Sequence, residues 1–208
     1  MSQFLAPIHT WLFNKILVLE NIERDLVNSV EENGLKEYHQ KLQIEFGDYI
    51  PNQPLEEIID ETNIHGWLQG RITMAETRQA AFINKLMSVS KNAVEGINNI
   101  YYQAGQKTAS ELGVTIDQPA EIFQALNNVL LEGMPCDRVN SVTNQSEESI
   151  TWKTQTCVHK NNWESNGVDV EYFYGFRAAF TKGFTETVGN GLAYTYTNEG
   201  EQVHTISK

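Results

Sequence analysis

Two histidines of this chain lie in matching sequence segments, and imidazole is the side chain most often used to bind a metal near neutral pH. Residues 8–16 and 64–72 both follow the pattern I-H-x-W-L-x-x-[K/R]-I, in which His9 precedes Trp11 and His65 precedes Trp67 by two positions. If the segments converge, they form a two-sided pocket for a flat or metal-containing ligand. The alternative is two similar helix starts packed side by side, with hydrogen-bonding histidines and core tryptophans.

Both histidines fall near predicted helix starts, where the positive end of the helix dipole disfavours imidazolium. A neutral imidazole is what a metal ion or haem iron requires as a ligand. The predicted metal ligands are therefore His9 and His65, together with Cys157 and His159, for a transition metal or a tetrapyrrole as cofactor.

Cys157 and His159 stand two residues apart in a predicted strand, so both would project from one face and could reach one cation. The alternative is a buried thiol beside a surface histidine. A Cys157 nucleophile with His159 as its base would suit hydrolysis of a small amide, although partners on one strand are poorly aligned for proton transfer.

The composition argues against several classes of partner. Lys and Arg total 15 against 27 for Asp and Glu, a formal charge of −12, which opposes binding to nucleic acid or to an anionic membrane surface. No apolar run approaches the roughly 20 residues of a membrane span, and the N-terminus lacks the pattern of a signal peptide. We expect a soluble, cytoplasmic protein with no nucleic-acid or membrane partner.

The first two thirds of the chain has the periodicity of helices. Apolar residues recur every three or four positions over 7–33, which predicts a helix capped by Gly34, and weaker patterns predict helices over 35–46 and behind Pro54. Thr73 to Glu76 has the form of a capping box, and an apolar stripe then continues to Gly113. A last helix is predicted from Pro119 to about Glu132.

One straight helix over 73–112 would span roughly 60 Å, whereas a compact chain of this length is only about 40 to 45 Å across. We therefore expect either a break near Gly96 or Gly105, or a projection into a partner subunit.

After Pro135 the pattern changes to alternation. Residues 139–145 and 150–159 predict one hairpin, residues 170–188 a helix that ends at Gly189, and residues 192–197 and 202–207 a second hairpin. The expected fold is α+β and a single domain. A helical bundle over 1–134 packs with a four-stranded antiparallel sheet over 135–208, in the order strand, strand, helix, strand, strand.

From about Tyr101 onward the chain resembles the 4-vinyl-reductase-type small-molecule-binding domains and their relatives, the haem- and nitric-oxide-binding domains and the palmitoyl-binding subunits of the TRAPP complex. The resemblance covers roughly half of the chain and rests on residues 102–109 (YQAGQKTA) with Leu112, 131–133 (LEG), 174–176 (YGF), 182–184 (KGF) and the two hairpins. It implies helices on an antiparallel sheet, a helix-mediated homodimer and a buried cavity for a lipid, tetrapyrrole or aromatic ligand.

This chain departs from that family in two respects. The family's cysteine-rich C-terminal pattern is missing, because the last hairpin carries Thr195 and His204 and no thiol, and the His-Trp segments lie outside the resemblance. A fainter likeness is to the aminothiazoline-carboxylate hydrolases, which combine a helical N-terminal part with a similar C-terminal fold.

Three functions follow from these observations. The leading hypothesis is a non-catalytic small-molecule-binding or sensor protein, whose cavity lies between the His-Trp helices and the sheet. Its predicted ligand-binding residues are aromatic or imidazole side chains that could wall an apolar cavity: His9, Trp11, His65, Trp67, Tyr101, Phe173 and Phe176. The alternatives are a small hydrolase or metalloenzyme that uses Cys157, His159 and one repeat histidine, and a homodimeric interaction module with no ligand.

Overall fold

The computed structural model describes residues 5–208, which form a helical N-terminal part and a C-terminal antiparallel sheet, the α+β fold expected from the sequence. Within this range no helix is both long and apolar enough to cross a membrane. The helices are α1 (Pro7–Ser29), α2 (Asn33–Phe46), α3 (Leu55–Ile58), α4 (Ile64–Val89), α5 (Ala93–Leu112), α6 (Pro119–Val129), α7 (Lys160–Glu164) and α8 (Val170–Val188). The strands are β1 (Asn140–Gln145), β2 (Ser149–Thr154), β3 (Ala193–Asn198) and β4 (Gln202–Ser207).

The first helix ends earlier than its apolar pattern predicts. Val30 adopts an extended conformation, and the chain re-enters a helix at Asn33, so the expected cap Gly34 lies in the first turn of α2. Two adjacent glutamates, at positions 31 and 32, fill the connection, which lets α2 fold back against α4. The periodicity identified the buried face correctly but did not reveal this change of direction.

The predicted capping box at Thr73 to Glu76 is wrong, because α4 begins nine residues earlier, at Ile64. The side chain of Asn63 accepts a hydrogen bond from the backbone N–H of Gly66 and caps that helix. Glu76 lies instead in the middle of α4, only 1 % exposed. The expected break in the long helix occurs between Val89 and Ala93, just before Gly96, and α5 then packs along α8 of the same chain.

The two repeat segments form the first turns of α1 and α4, which run parallel. Their contacts advance in the same direction along both helices, from the His9 and His65 rings to the pair formed by Glu23 and Arg78. The matching apolar positions meet in a core cluster separate from the main one, with each side chain at most 3 % exposed: Leu12, Ile16, Leu68 and Ile72.

The sheet has the strand order β1-β2-β4-β3, and all neighbouring strands are antiparallel. Ile150 and Trp152 are buried on one face, as the alternation predicted, and α6 and α8 pack near them. Strand β2 ends at Thr154 rather than at residue 159. The backbone N–H of Gln155 donates to Val139, and the chain then turns into the short helix α7, which the sequence did not indicate.

We expect the crossing of α5 and α8 to tolerate no side chain at Gly105. A Cβ atom there would lie 2.1 Å from the carbonyl oxygen of Phe180, so Gly105→Ala should lower the free energy of unfolding by about 2 to 4 kcal/mol. Gly96→Ala in the same helix is the control, because a Cβ atom there meets nothing within 4 Å. It should raise stability by up to about 1 kcal/mol in urea denaturation. Equal effects at both positions would contradict the close approach.

Candidate functional site

The structure brings the two repeat histidines together. His9 Nε2 and His65 Nε2 are 3.2 Å apart, and the rings meet edge to face with their centroids 5.2 Å apart. His9 is half-buried and His65 is exposed, so the pair lies at the surface where α1 and α4 begin.

The hydrogen bonds of the pair define which nitrogen of His9 carries the proton. The backbone N–H of Ala6 donates to His9 Nδ1, so the neutral ring carries its proton on Nε2 and donates it to His65 Nε2. A metal at His9 Nε2 would require that proton on Nδ1, toward which the Ala6 N–H points. Among the described residues, no group of three or more His, Cys, Asp or Glu side chains could complete such a site. This geometry favours helix capping over metal ligation.

The two repeats differ in the surroundings of their other shared residues. Trp11 lines an open cleft and donates from Nε1 to Asn128 Oδ1 at 3.0 Å, whereas Trp67 packs against Phe13 in the smaller core. The basic position of the repeat is Lys15 in the first copy and Arg71 in the second. Arg71 has an ion pair and donates to a backbone carbonyl, whereas Lys15 forms no ion pair within residues 5–208.

The cleft has a volume of about 310 Å³ and lies between α1, α6, β1 and the segment that leads into β1. Trp11 and Phe123 supply aromatic surface, and Lys15 and Glu132 are its charged groups nearest the core. Arg138 stands exposed at the rim and has a φ of 50°, the one positive φ outside glycine in the described chain. Such backbone strain is concentrated at functional sites.

Lys15 lines both this cleft and a smaller inner cavity. The inner cavity has a volume of about 30 Å³ and is lined mainly by apolar side chains, with Glu76, Tyr101 and Arg177 as polar members. Lys15 is only 3 % exposed, and its Nζ lies 3.4 Å from the centre of the Trp11 ring. Burial lowers the pKa of Lys15 to about 7; Glu132 opposes this shift, and Arg177 adds to it.

Behind the cleft, four charged side chains form a buried cluster that joins α4, α7 and α8. His159 Nδ1 lies 2.7 Å from Glu76 Oε1, and Asn162 donates to the other oxygen of Glu76 at 2.8 Å. Arg177 is 2.6 Å from Glu132 Oε1 and also 3.2 Å from His159 Nε2. The Arg177 to Glu132 contact is an ion pair without the angle of a hydrogen bond, so these groups hold unused hydrogen-bonding capacity.

The protonation of His159 determines how this cluster is bonded. Burial alone would lower the pKa of His159, but Glu76 and Glu132 outweigh it and raise the pKa to about 9. Burial likewise acts to raise the pKa of Glu132, but Arg177 and His159 lower it to about 2. At neutral pH His159 and Glu132 therefore carry opposite charges, and the Lys15 amine is only partly protonated.

The hydrogen bonds of the His159 imidazole depend on whether its Nε2 carries a proton. In the neutral ring Nε2 accepts from Arg177, whereas in the imidazolium Nε2–H points toward Glu132 Oε2, 3.7 Å away. The cluster can thus store or release a proton next to a carboxylate that lines the cleft.

A second buried ionic network, between α1 and α4, has better-paired carboxylates. Arg78 donates to both oxygens of Glu23, at 2.8 and 2.9 Å, and His39 lies 2.7 Å from the same carboxylate. Glu20 accepts from the backbone N–H of Ile50 and from Arg78. Because the donors and acceptors of this network are paired with one another, we assign these groups a structural role.

The predicted pairing of Cys157 with His159 is wrong, because both residues lie beyond the end of β2. Cys157 is exposed, whereas His159 is fully buried as the residue before α7 and bonded to groups other than a thiol. His159 is also remote from the repeat histidines, since Glu76 follows His65 by eleven residues, or about 16 Å along α4. The four predicted metal ligands are therefore not brought together.

The predicted aromatic residues divide into two groups. Tyr101 and Phe173 line the inner cavity, and the hydroxyl of Tyr101 donates to Gln79 Oε1 at 3.0 Å. Phe176 packs against Tyr101 with ring centres 5.5 Å apart and belongs to the main core.

Sequence reasoning missed Lys15, Glu76, Glu132 and Arg177 as site residues. In the sequence, a charged residue next to an apolar stripe looks the same whether its side chain faces solvent or a buried partner. These four residues also come from segments that are far apart in the chain. The repeat itself was a signal that could have identified Lys15, because Lys15 occupies its basic position beside the histidine and tryptophan that were predicted to bind a ligand.

Comparison with protein-family models, with curated proteins and with solved structures finds no match for this chain. The resemblance of its second half to the 4-vinyl-reductase-type domains therefore stays a prediction.

We expect Lys15 to destabilise the folded protein at neutral pH. The pKa of Lys15 in the folded state, about 7, lies below the value of 10.5 for an exposed lysine. The free-energy cost of burying the charged amine is therefore complete below pH 7 and disappears as the pH rises toward 10.5. Lys15→Met should raise the free energy of unfolding at pH 7 by about 2 to 3 kcal/mol, after subtracting the lost contact with Trp11. Lys15→Arg, which keeps the charge, should give no such gain in urea denaturation.

We expect the opposite pH dependence from His159. Its folded pKa of about 9 exceeds the ordinary 6.5, so its stabilisation is complete below pH 6.5 and is lost as the pH rises through 9. In the Lys15→Met background, which removes the opposing titration, stability should fall by about 3 kcal/mol across this window. Adding His159→Gln should flatten the profile measured by denaturant titration, and an unchanged slope would contradict the assignment.

Proposed function

We propose that this protein binds a small organic acid with an aromatic or apolar body in the cleft between α1, α6 and β1. The observation that carries this proposal is the pair of Lys15 and Trp11, a buried amine and an aromatic ring that face one cleft. An acid with an aromatic or apolar body is a narrower class of ligand than the small molecule predicted from the sequence.

Charge supports an acid as the ligand. Within residues 5–208 no carboxylate forms an ion pair with Lys15, and Arg177 offsets part of the stabilisation that Glu132 gives to its charged form. Arg138 adds a second cation at the rim of the same cleft. A ligand carboxylate would bring the opposite charge to these two side chains, and a charge-assisted hydrogen bond is about twice as strong as a neutral one.

Size and lining support a compact ring. Ligand pockets usually measure about 300 to 1,000 Å³, and this cleft of about 310 Å³ lies at the lower end of that range. Trp11 and Phe123 supply flat apolar faces, and Asn127 and Asn140 supply amide groups. A single-ring compound suits this volume better than the tetrapyrrole considered from the sequence.

The repeat provides a matched pair of variants to test the proposal. We expect para-hydroxymethylbenzoate to bind the wild type in isothermal titration calorimetry, and Trp11→Leu to weaken binding by about tenfold or more, because the stacking surface is lost. Trp67→Leu removes the corresponding ring outside the cleft and should leave the affinity within about twofold.

Lys15→Met gives a second test that does not depend on the aromatic wall. It should weaken the same ligand while leaving a folded protein of higher stability. If the wild type gives no binding heat, or if both tryptophan variants lose affinity equally, the cleft is not the binding site and the proposal fails.

A further inference from the structure

We propose that Lys15 forms a reversible covalent imine with a small carbonyl compound that also carries an acid group. This inference rests on the proposed function, because it uses the same cleft, and it adds the chemical class of the ligand and the atom to which the ligand is bonded. In this arrangement Arg138 pairs with the acid at the rim, Trp11 and Phe123 hold the body, and the carbonyl carbon reaches Lys15 Nζ.

A lysine acts as a nucleophile only when its amine is neutral, and three features of Lys15 favour that form. It is 3 % exposed, no carboxylate forms an ion pair with it within residues 5–208, and the guanidinium of Arg177 lies on the same inner cavity. Desolvation is an established way to activate a lysine amine, and at Lys15 it outweighs the opposing effect of the Glu132 carboxylate. The shift of its pKa to about 7 agrees with this geometry.

Lys15 and Arg71 occupy the same position of the repeat but differ in their partners. Arg71 holds the same position in the second repeat, yet it binds Glu20 and the backbone carbonyl of Asp48, as expected of a structural cation. Within the described part of the chain Lys15 has no such partner, and it lines two cavities. A buried amine that lowers stability without a pairing partner is the kind of residue that function accounts for better than folding.

The chemical step is balanced by the amine and the carbonyl compound alone. The lone pair of Lys15 Nζ forms a bond to the carbonyl carbon while the C=O π electrons move to oxygen, which gives a carbinolamine. The carbon–oxygen bond then breaks, both hydrogens of the amine leave with that oxygen as water, and a C=N bond remains. The proton that moves from nitrogen to oxygen can be carried by solvent, because the cleft is open.

Exposed lysines of this chain provide the internal standard. Lys36 lies in the first turn of α2 with its side chain in solvent. An exposed amine is almost entirely protonated at pH 7, since the ordinary lysine pKa is about 10.4. Selective reaction at neutral pH therefore separates Lys15 from the surface lysines.

The experiment incubates the full chain at pH 7 with para-formylbenzoate and sodium cyanoborohydride, which reduces an imine to a stable secondary amine. Intact mass spectrometry should show one adduct per chain, and peptide mapping should locate it on Lys15 and distinguish it from the α-amino group. Lys15→Met should lose this adduct, and Lys36→Met should retain it. The initial rate should level off above about pH 7, whereas labelling of exposed lysines keeps rising toward pH 10.

The matched alcohol, para-hydroxymethylbenzoate, separates failure of the inference from failure of the proposed function. If the alcohol binds in a manner that depends on Trp11 but the aldehyde leaves no adduct on Lys15, the imine is ruled out and the cleft remains a binding site. If neither compound engages the cleft, both proposals fail. An adduct spread over surface lysines in proportion to their exposure also overturns the inference.

Discussion

Burial of charge between the helical part and the C-terminal part is the constraint on which this architecture depends. Glu76 projects from the middle of α4, His159 precedes α7 and Arg177 belongs to α8, yet their charged groups lie within hydrogen-bond distance of one another. Removing one partner would leave the others unpaired out of water, which typically costs about 3 to 5 kcal/mol. The cluster therefore ties the segment around α7 to α4, and its carboxylate Glu132 lines the cleft.

The two buried ionic networks of this chain illustrate how structure and function make different demands. Around Glu23 the donors and acceptors are matched, with Arg78 bonded to both carboxylate oxygens. Around Glu132 the pairing is incomplete, and the neighbouring amine of Lys15 has no carboxylate partner in the described chain. Polar groups that lack full pairing in the folded state can interact with a ligand instead, and for this reason the proposed site lies beside the Glu132 cluster.

The duplicated segment shows how equivalent sequences acquire different roles. Both copies start a helix, bury the same leucine and isoleucine positions and meet through their histidines. Their surroundings then diverge, since the second copy packs against the α2–α3 region, whereas the first borders α6 and β1. The tryptophan at the same position of the repeat therefore packs in the core in the second copy, as Trp67, and lines the cleft in the first copy, as Trp11.

Local pattern was sufficient to determine the fold class, the C-terminal helix over 170–188 and the buried face of β2, because these follow from periodicity within one segment. The repeat raised the possibility that His9 and His65 converge, but their contact and its hydrogen bonding are seen only in the structure. Three features were decided only by the tertiary structure: the end of β2 at Thr154, the helix α7 that follows it, and the burial of Glu76 against His159. Each depends on contacts between residues far apart in the chain, and the desolvation that defines Lys15 is a property of its assembled surroundings.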